Sequence, residues 1–119
     1  MYLHKNLTTV EETPVAAGEG VSIQVLLSSE EAPNFAMRRF AIAPGGHMPF
    51  HTNTVEHEQF VLQGRAQVKI GEEEFEAKAG DILLIPAGVP HSYATVGDEP
   101  YAFLCLIPNG EDTICVIPE

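Results

Sequence analysis

Runs in which apolar and polar side chains alternate recur almost from end to end of the chain, and clusters of glycine and proline separate them. They are Val21 to Leu27, Ala36 to Ala43, Glu58 to Gln63, Ala66 to Ile70, Glu74 to Ala77, Ile82 to Ile85, Tyr101 to Ile107 and Thr113 to Ile117. A period of two sends successive side chains to opposite faces of a strand, so each run reads as a short strand. Pro44-Gly45-Gly46, Gly71, Gly80, Pro86-Ala87-Gly88, Gly97 and Asn109-Gly110 mark the turns between them. The one stretch suited to starting a helix, Ser28-Ser29-Glu30-Glu31, meets Pro33 within a turn and a half and reads as loop. The pattern predicts an all-β jelly-roll barrel, a closed form that can hold one ligand in its lumen.

At 119 residues the chain is one domain, 1–119, with a modest core. Phe60, Leu62, Leu104 and Leu106 sit on strands that also carry apolar residues at the alternate positions, so both faces of those strands are expected to be covered. Seventeen acidic residues against six Lys and Arg give a formal charge of −11, with no basic stripe. That balance argues against nucleic acid or an anionic membrane as partner. The segment MYLHKNLTTVEETP lacks the apolar core of a signal peptide, and no apolar run approaches bilayer-spanning length, so a cytoplasmic protein is expected. Cys105 and Cys115 flank Pro108-Asn109-Gly110 in an expected hairpin; a cross-strand disulfide is open to them, but two buried thiols in apolar runs are the favoured reading.

Three histidines carry the chemical signal. Gly45 is followed after five residues by His51, Asn53 comes two further on, His57 after three more, and Gly64 after another six. Downstream, Gly80 is followed after five residues by Pro86, then Gly88, then His91 after two more. Alternation puts His51 and Asn53 on one face, and His57, Gln59 and Val61 on one face of the next strand, with Glu56 and Glu58 turned away. Neutral imidazole suits iron, manganese, zinc, nickel, cobalt and copper, whereas magnesium and calcium prefer oxygen shells. Three imidazoles leave coordination positions open, as catalytic centres require.

These spacings resemble the cupin superfamily, whose motifs read G-x5-H-x-H-x(3,4)-E-x6-G and G-x5-P-x-G-x2-H-x3-N. The resemblance runs from Pro33 to Pro108, the expected barrel core, and fifteen residues separate Gly64 from Gly80 as in compact microbial cupins. It implies ligand roles for His51, His57 and His91 toward one divalent transition metal per subunit. It also implies a homodimer, in which residues 1–20 extend the sheet of a neighbour. Two positions depart from the pattern. Asn53 stands where the second histidine is usual, and His57 stands in the place of the glutamate. The sequence VEHEQFVLQG is similar to PWEHEIFVLEG of a small-cupin branch with a four-histidine site, which supports His57. Asn53 is open to ligation, to a hydrogen bond with a metal-bound water, or to neither; the water is the favoured reading. His47, just past the glycine pair, reads as rim or outer shell, and Tyr93 as a pocket residue beside Val61.

A three-histidine shell donates no negative charge, so a bound ion attracts small oxygen-chelating acids or phenols. With iron or manganese the resemblance implies dioxygenase-like chemistry; with zinc or nickel, isomerase or lyase chemistry. A non-catalytic binding module for a small ligand or metal, and a purely structural barrel, are the alternatives. No carboxylate is expected inside the lumen to act as a general base.

Overall fold

One strand of nineteen residues organises the molecule. In the computed structural model, which describes residues 2–118, the strands are β1 (Thr13–Pro14), β2 (Glu19–Leu27), β3 (Phe35–Asn53), β4 (His57–Gln63), β5 (Arg65–Ile70), β6 (Glu73–Lys78), β7 (Ile82–Ile85), β8 (His91–Val96), β9 (Tyr101–Pro108) and β10 (Ile114–Val116). The first half of β3 pairs with β2 and β9, and its second half with β8 and β10, every pairing antiparallel. β3 is thereby the seam between a group running β9, β4, β7 and a group running β8, β5, β6. The chain is the all-β jelly-roll barrel that its alternation predicts. Met1 and Glu119, the ends of the expected domain, lie outside the described residues.

Pro44-Gly45-Gly46 marks a bend inside β3, where the sequence predicts a turn that ends a strand. Gly45 takes φ +79°, a left-handed conformation that glycine adopts without strain. A Cβ on Gly46 would stand 2.7 Å from the Glu19 carbonyl oxygen, so only glycine lets the backbones approach this closely. The extended conformation survives the bend because partners change across it rather than disappear. β8 is absent from the sequence reading because its inward residues, His91 and Tyr93, are polar or amphipathic and give no apolar alternation. The Ser28–Glu31 stretch is a turn, as its proline implies.

The expected hairpin of the last two strands does not form. β10 crosses to lie along β3, with Cys115 opposite Thr52, whereas Cys105 lies on β9 opposite Arg38 and Gln59. Both thiols are free, Cys105 buried as expected and Cys115 exposed, which corrects the reading of two buried cysteines. The N-terminal segment has a place within its own subunit: β1 pairs with β2, Gln24 donates to the Leu7 and Val10 carbonyls, and Val15 and Ala17 pack on the core.

That core fills much of the barrel interior and continues into the lining of the cavity described below. Val61, Val68, Ile85, Tyr101 and Cys105 are fully buried there, and the rings of Tyr93, Tyr101 and Phe103 pack in tilted pairs with centroids 5.3 to 6.3 Å apart. Contacts of this kind add to the burial that drives folding. Gly64 closes the turn between β4 and β5 at φ +78°, directly against the Pro100 carbonyl, while Gly71 has φ +60° and open space around it. Gly71→Ala is expected to cost only the left-handed backbone penalty, about 1–2 kcal/mol. Gly64→Ala adds a clash and is expected to cost about 1–3 kcal/mol more. Urea unfolding of the two variants side by side measures the difference, and equal midpoints would contradict the close packing at Gly64.

Candidate functional site

Against one side of this core the apolar lining gives way to a cavity of about 240 Å³. His51 and Asn53 reach it from the second half of β3, His57 and Gln59 from β4, and His91 and Tyr93 from β8. Arg38, Phe40, Ile42 and Met48 complete the β3 wall, and Val21, Ile23 and Phe103 close the sides. Of the expected site residues, Val61 is packed in the core rather than against the cavity, because it lies one pleat deeper than Gln59. His47 is exposed and pairs with Ala94 outside the cavity. A register irregularity between Met48 and His51 turns both of those residues inward, so unbroken alternation does not carry His47 to the face of His51.

The three imidazoles share one orientation. His51 Nδ1 lies 2.7 Å from the Pro49 carbonyl oxygen, and His91 Nδ1 lies 3.0 Å from that of Val89. His57 Nδ1 lies 3.3 Å from Cys105 Sγ. Each ring has its Nδ1 engaged; at His51 and His91 the carbonyl partner requires Nδ1 to carry the hydrogen, which leaves the Nε2 lone pair free, whereas the Cys105 thiol can donate or accept and fixes no tautomer at His57. The His51 and His91 ring centroids are 4.1 Å apart, and those of His57 and His91 are 6.0 Å apart. His57 Nε2, Asn53 Oδ1 and Gln59 Oε1 are buried without a hydrogen-bond partner among the described residues. Gln59 spends its amide on the Tyr93 hydroxyl, 2.8 Å away, and so presents its carbonyl oxygen.

Sequence reasoning missed three residues. Cys105, approached by both His57 and the Arg38 guanidinium at 3.3 Å, fixes the His57 ring from behind. Arg38 lines the cavity with its Nε buried and unpartnered, over the face of Phe40 at 5.0 Å, and has no carboxylate partner among the described residues. Asp112 reaches the cavity from the loop before β10, its Oδ2 3.5 Å from His57 Nε2. This carboxylate corrects the expectation of a lumen without one. None of the three carries a spacing signal, since β9 supplies the cysteine and the loop before β10 the aspartate, both outside the histidine motifs.

An electron-pair donor set of this kind fits a divalent transition metal: neutral nitrogens, oriented through their far ring atoms, beside buried oxygens that lack partners. Among the described residues, however, no group of three or more His, Cys, Asp or Glu side chains is drawn into metal-holding geometry. The four-histidine-like centre implied by the motif is thus not displayed.

Burial disfavours the charged form of all three histidines. It lowers His57 to about 4, aided by Arg38, and His91 to about 4, aided by His51; His51 moves in the same direction. Below pH 6.5 the unfolded chain takes up protons that the folded chain refuses. Their contribution to stability is therefore complete above about pH 6.5 and is lost as the pH falls toward 4. Glu58, pushed up to about 7 by its hydrogen bond with Glu56 and by burial, acts in the opposite sense. In chelator-treated Glu58→Gln protein the urea midpoint is expected to fall between pH 7.5 and pH 5. A midpoint that holds steady would show that the rings take up protons freely in the fold.

A protein-family model described as a cupin domain matches residues 38–107. The chain is 28% identical over 107 residues to 1-methylthio-D-xylulose 5-phosphate methylsulfurylase of Rhodospirillum rubrum, covering 90% of this chain and 68% of that protein. Among solved structures it is similar to the polyketide cyclase RemF from Streptomyces resistomycificus, with a TM-score of 0.91 and 23% identity over 100% of this chain and 87% of that one. A protein of Thermotoga maritima described as a predicted oxalate decarboxylase gives a TM-score of 0.81 and 21% identity, covering 89% and 98%. The structural likenesses establish the fold, and the family model spans the strands that carry His51, His57 and His91. This chain belongs to the cupin domain family.

Proposed function

We propose that the chain is a metal-dependent cupin that binds, and turns over, a small oxygen-chelating anion. The observation that carries this reading is the convergence of His51, His57 and His91 on one cavity, each ring engaged through Nδ1, with the carbonyl partners of His51 and His91 leaving their Nε2 lone pairs free. His51, His57 and His91 would hold the ion, with Asn53 Oδ1 placed to accept from a water beside it. When bound, a divalent transition ion supplies Lewis-acid activation of a chelated oxygen, and with iron or manganese also a site for oxygen. Arg38 attracts the anion, since its guanidinium borders a largely apolar wall and makes no ion pair among the described residues. Ile42, Met48, Phe40 and Phe103 exclude water from the rest of the ligand. The cavity volume limits that ligand to a small acid or phenol, and oxalate, named for one structural relative, is an anion of this kind.

Metal analysis of dialysed wild-type protein beside His57→Ala tests the reading. Near one equivalent of iron, manganese, zinc, nickel, cobalt or copper is expected in the wild type, with a large loss in the variant. Iron or manganese, together with oxygen uptake on adding small acids or phenols, would assign dioxygenase-like chemistry; zinc or nickel without oxygen uptake would assign isomerase or lyase chemistry. A wild type that takes up no metal from any of these salts would sink the proposal and leave a metal-free binding module.

A homodimer belongs to the same reading. Phe60, Leu62, Ile82 and Leu84 are exposed side by side on β4 and β7, with Ile82 79% accessible, and Leu104 and Leu106 continue the patch onto β9. An apolar face of this extent is characteristic of a surface that meets another, and a second copy of the same face buries it symmetrically. Ile82→Glu combined with Phe60→Glu is expected to halve the mass measured by light scattering; an unchanged mass would place the dimer elsewhere or exclude it.

A further inference from the structure

We propose that Asp112 supplies the carboxylate donor that the histidine motif of this chain lacks, reaching a divalent transition metal beside His57 from the C-terminal side of the barrel. The inference deepens the metal-binding reading and rests on it. Where cupin motifs carry glutamate this chain has His57, so the motif itself offers only neutral donors. Asp112 is the acidic residue that lines the cavity, and its side chain is only 15% accessible.

Its position is built rather than incidental. The Thr54 amide donates to Asp112 Oδ1 at 3.2 Å, which leaves Oδ2 pointing at His57. Thr54 Oγ1 donates to the Glu111 carbonyl at 2.9 Å and accepts from the Thr113 amide at 2.9 Å, so the residues on either side of Asp112 are clamped to the turn after β3. β10 then pairs residue for residue with the strand that bears His51 and Asn53. A backbone tied at both ends holds the carboxylate over the cavity with little freedom left to lose on coordination.

The separation of the two side chains also has a specific value. His57 Nε2 and Asp112 Oδ2 are 3.5 Å apart, yet His57 Nε2 has no hydrogen-bond partner. A carboxylate held at this distance from a buried imidazole nitrogen brings an anionic and a neutral donor to the same point of the cavity wall. One negative donor lowers the charge of the centre from two to one, which tempers its pull on anionic ligands and makes Arg38 the stronger part of their recognition.

The test measures zinc and cobalt affinity at pH 7, by competition with a chromophoric chelator, for wild type, Asp112→Asn, Thr54→Val and His57→Ala. Asp112→Asn keeps the shape and the acceptor for Thr54 but removes the charge. It is expected to bind zinc on the order of 10–100-fold more weakly than wild type, with a changed visible spectrum for bound cobalt. Thr54→Val, which loosens the clamp and leaves the carboxylate, should fall between the two. Matching circular dichroism and melting of the metal-free proteins guards against a folding defect. Equal affinity and an unchanged cobalt spectrum in Asp112→Asn would overturn the role of Asp112 while His57→Ala still abolishes binding. If the wild type binds neither metal, the metal-binding reading fails and this inference with it.

Discussion

Everything at the open end of the barrel depends on β3 belonging to both sheets. Because its first half pairs with β9 and its second half with β8 and β10, one continuous backbone carries Arg38 along one wall and His51 with Asn53 along the other. The bend that allows this rests on Gly46, where any side chain would collide with backbone oxygens of Glu19 and Ala43. Two residue types, a cation and imidazoles, are held at a set separation by strand geometry rather than by loops. Sites built on paired strands lose little precision to thermal motion.

The barrel divides its interior into a part that stabilises and a part that does not. Tyr101, Val61, Val68 and Ile85 bury apolar surface without leaving polar groups unmatched, apart from the Tyr101 hydroxyl. Around the cavity the balance reverses. Neutral histidines, a free glutamine carbonyl and an unpartnered arginine nitrogen are all kept out of water, and each such group costs folding free energy. A fold concentrates such costs where function demands them, and here they converge on one volume. The dry packing beneath that volume, from Val61 to Cys105, carries the stability that makes the expense tolerable.

The fold was legible because period-two alternation and glycine-proline turns are local signals. β2, β4, β5, β6, β7 and β9 lie where their residues alternate. β8 was not legible, since a strand facing a polar cavity has no apolar stripe to announce it. His51, Asn53, His57, Gln59, His91 and Tyr93 could be placed by motif spacing and alternation, and they meet at the cavity. Val61 could not, because depth along the strand removes it from the cavity; His47, read as rim or outer shell, is exposed and does not line it. Asp112, Arg38 and Cys105 join the site through pairing across long stretches of chain, which no spacing within one segment encodes. Their contribution belongs to topology, and topology also overturned the hairpin expected at Pro108-Asn109-Gly110.

Cys115 gives that last strand a practical use. It stands exposed on β10, opposite Thr52 and one residue past Ile114, the partner of Asn53, whereas the second thiol of the chain, Cys105, is sealed beneath His57. A thiol-reactive fluorophore would therefore label one position, on the segment that borders the cavity mouth. Cysteine placement has made the chain a singly addressable reporter beside the cavity, readable by emission from a single dye without engineering any residue.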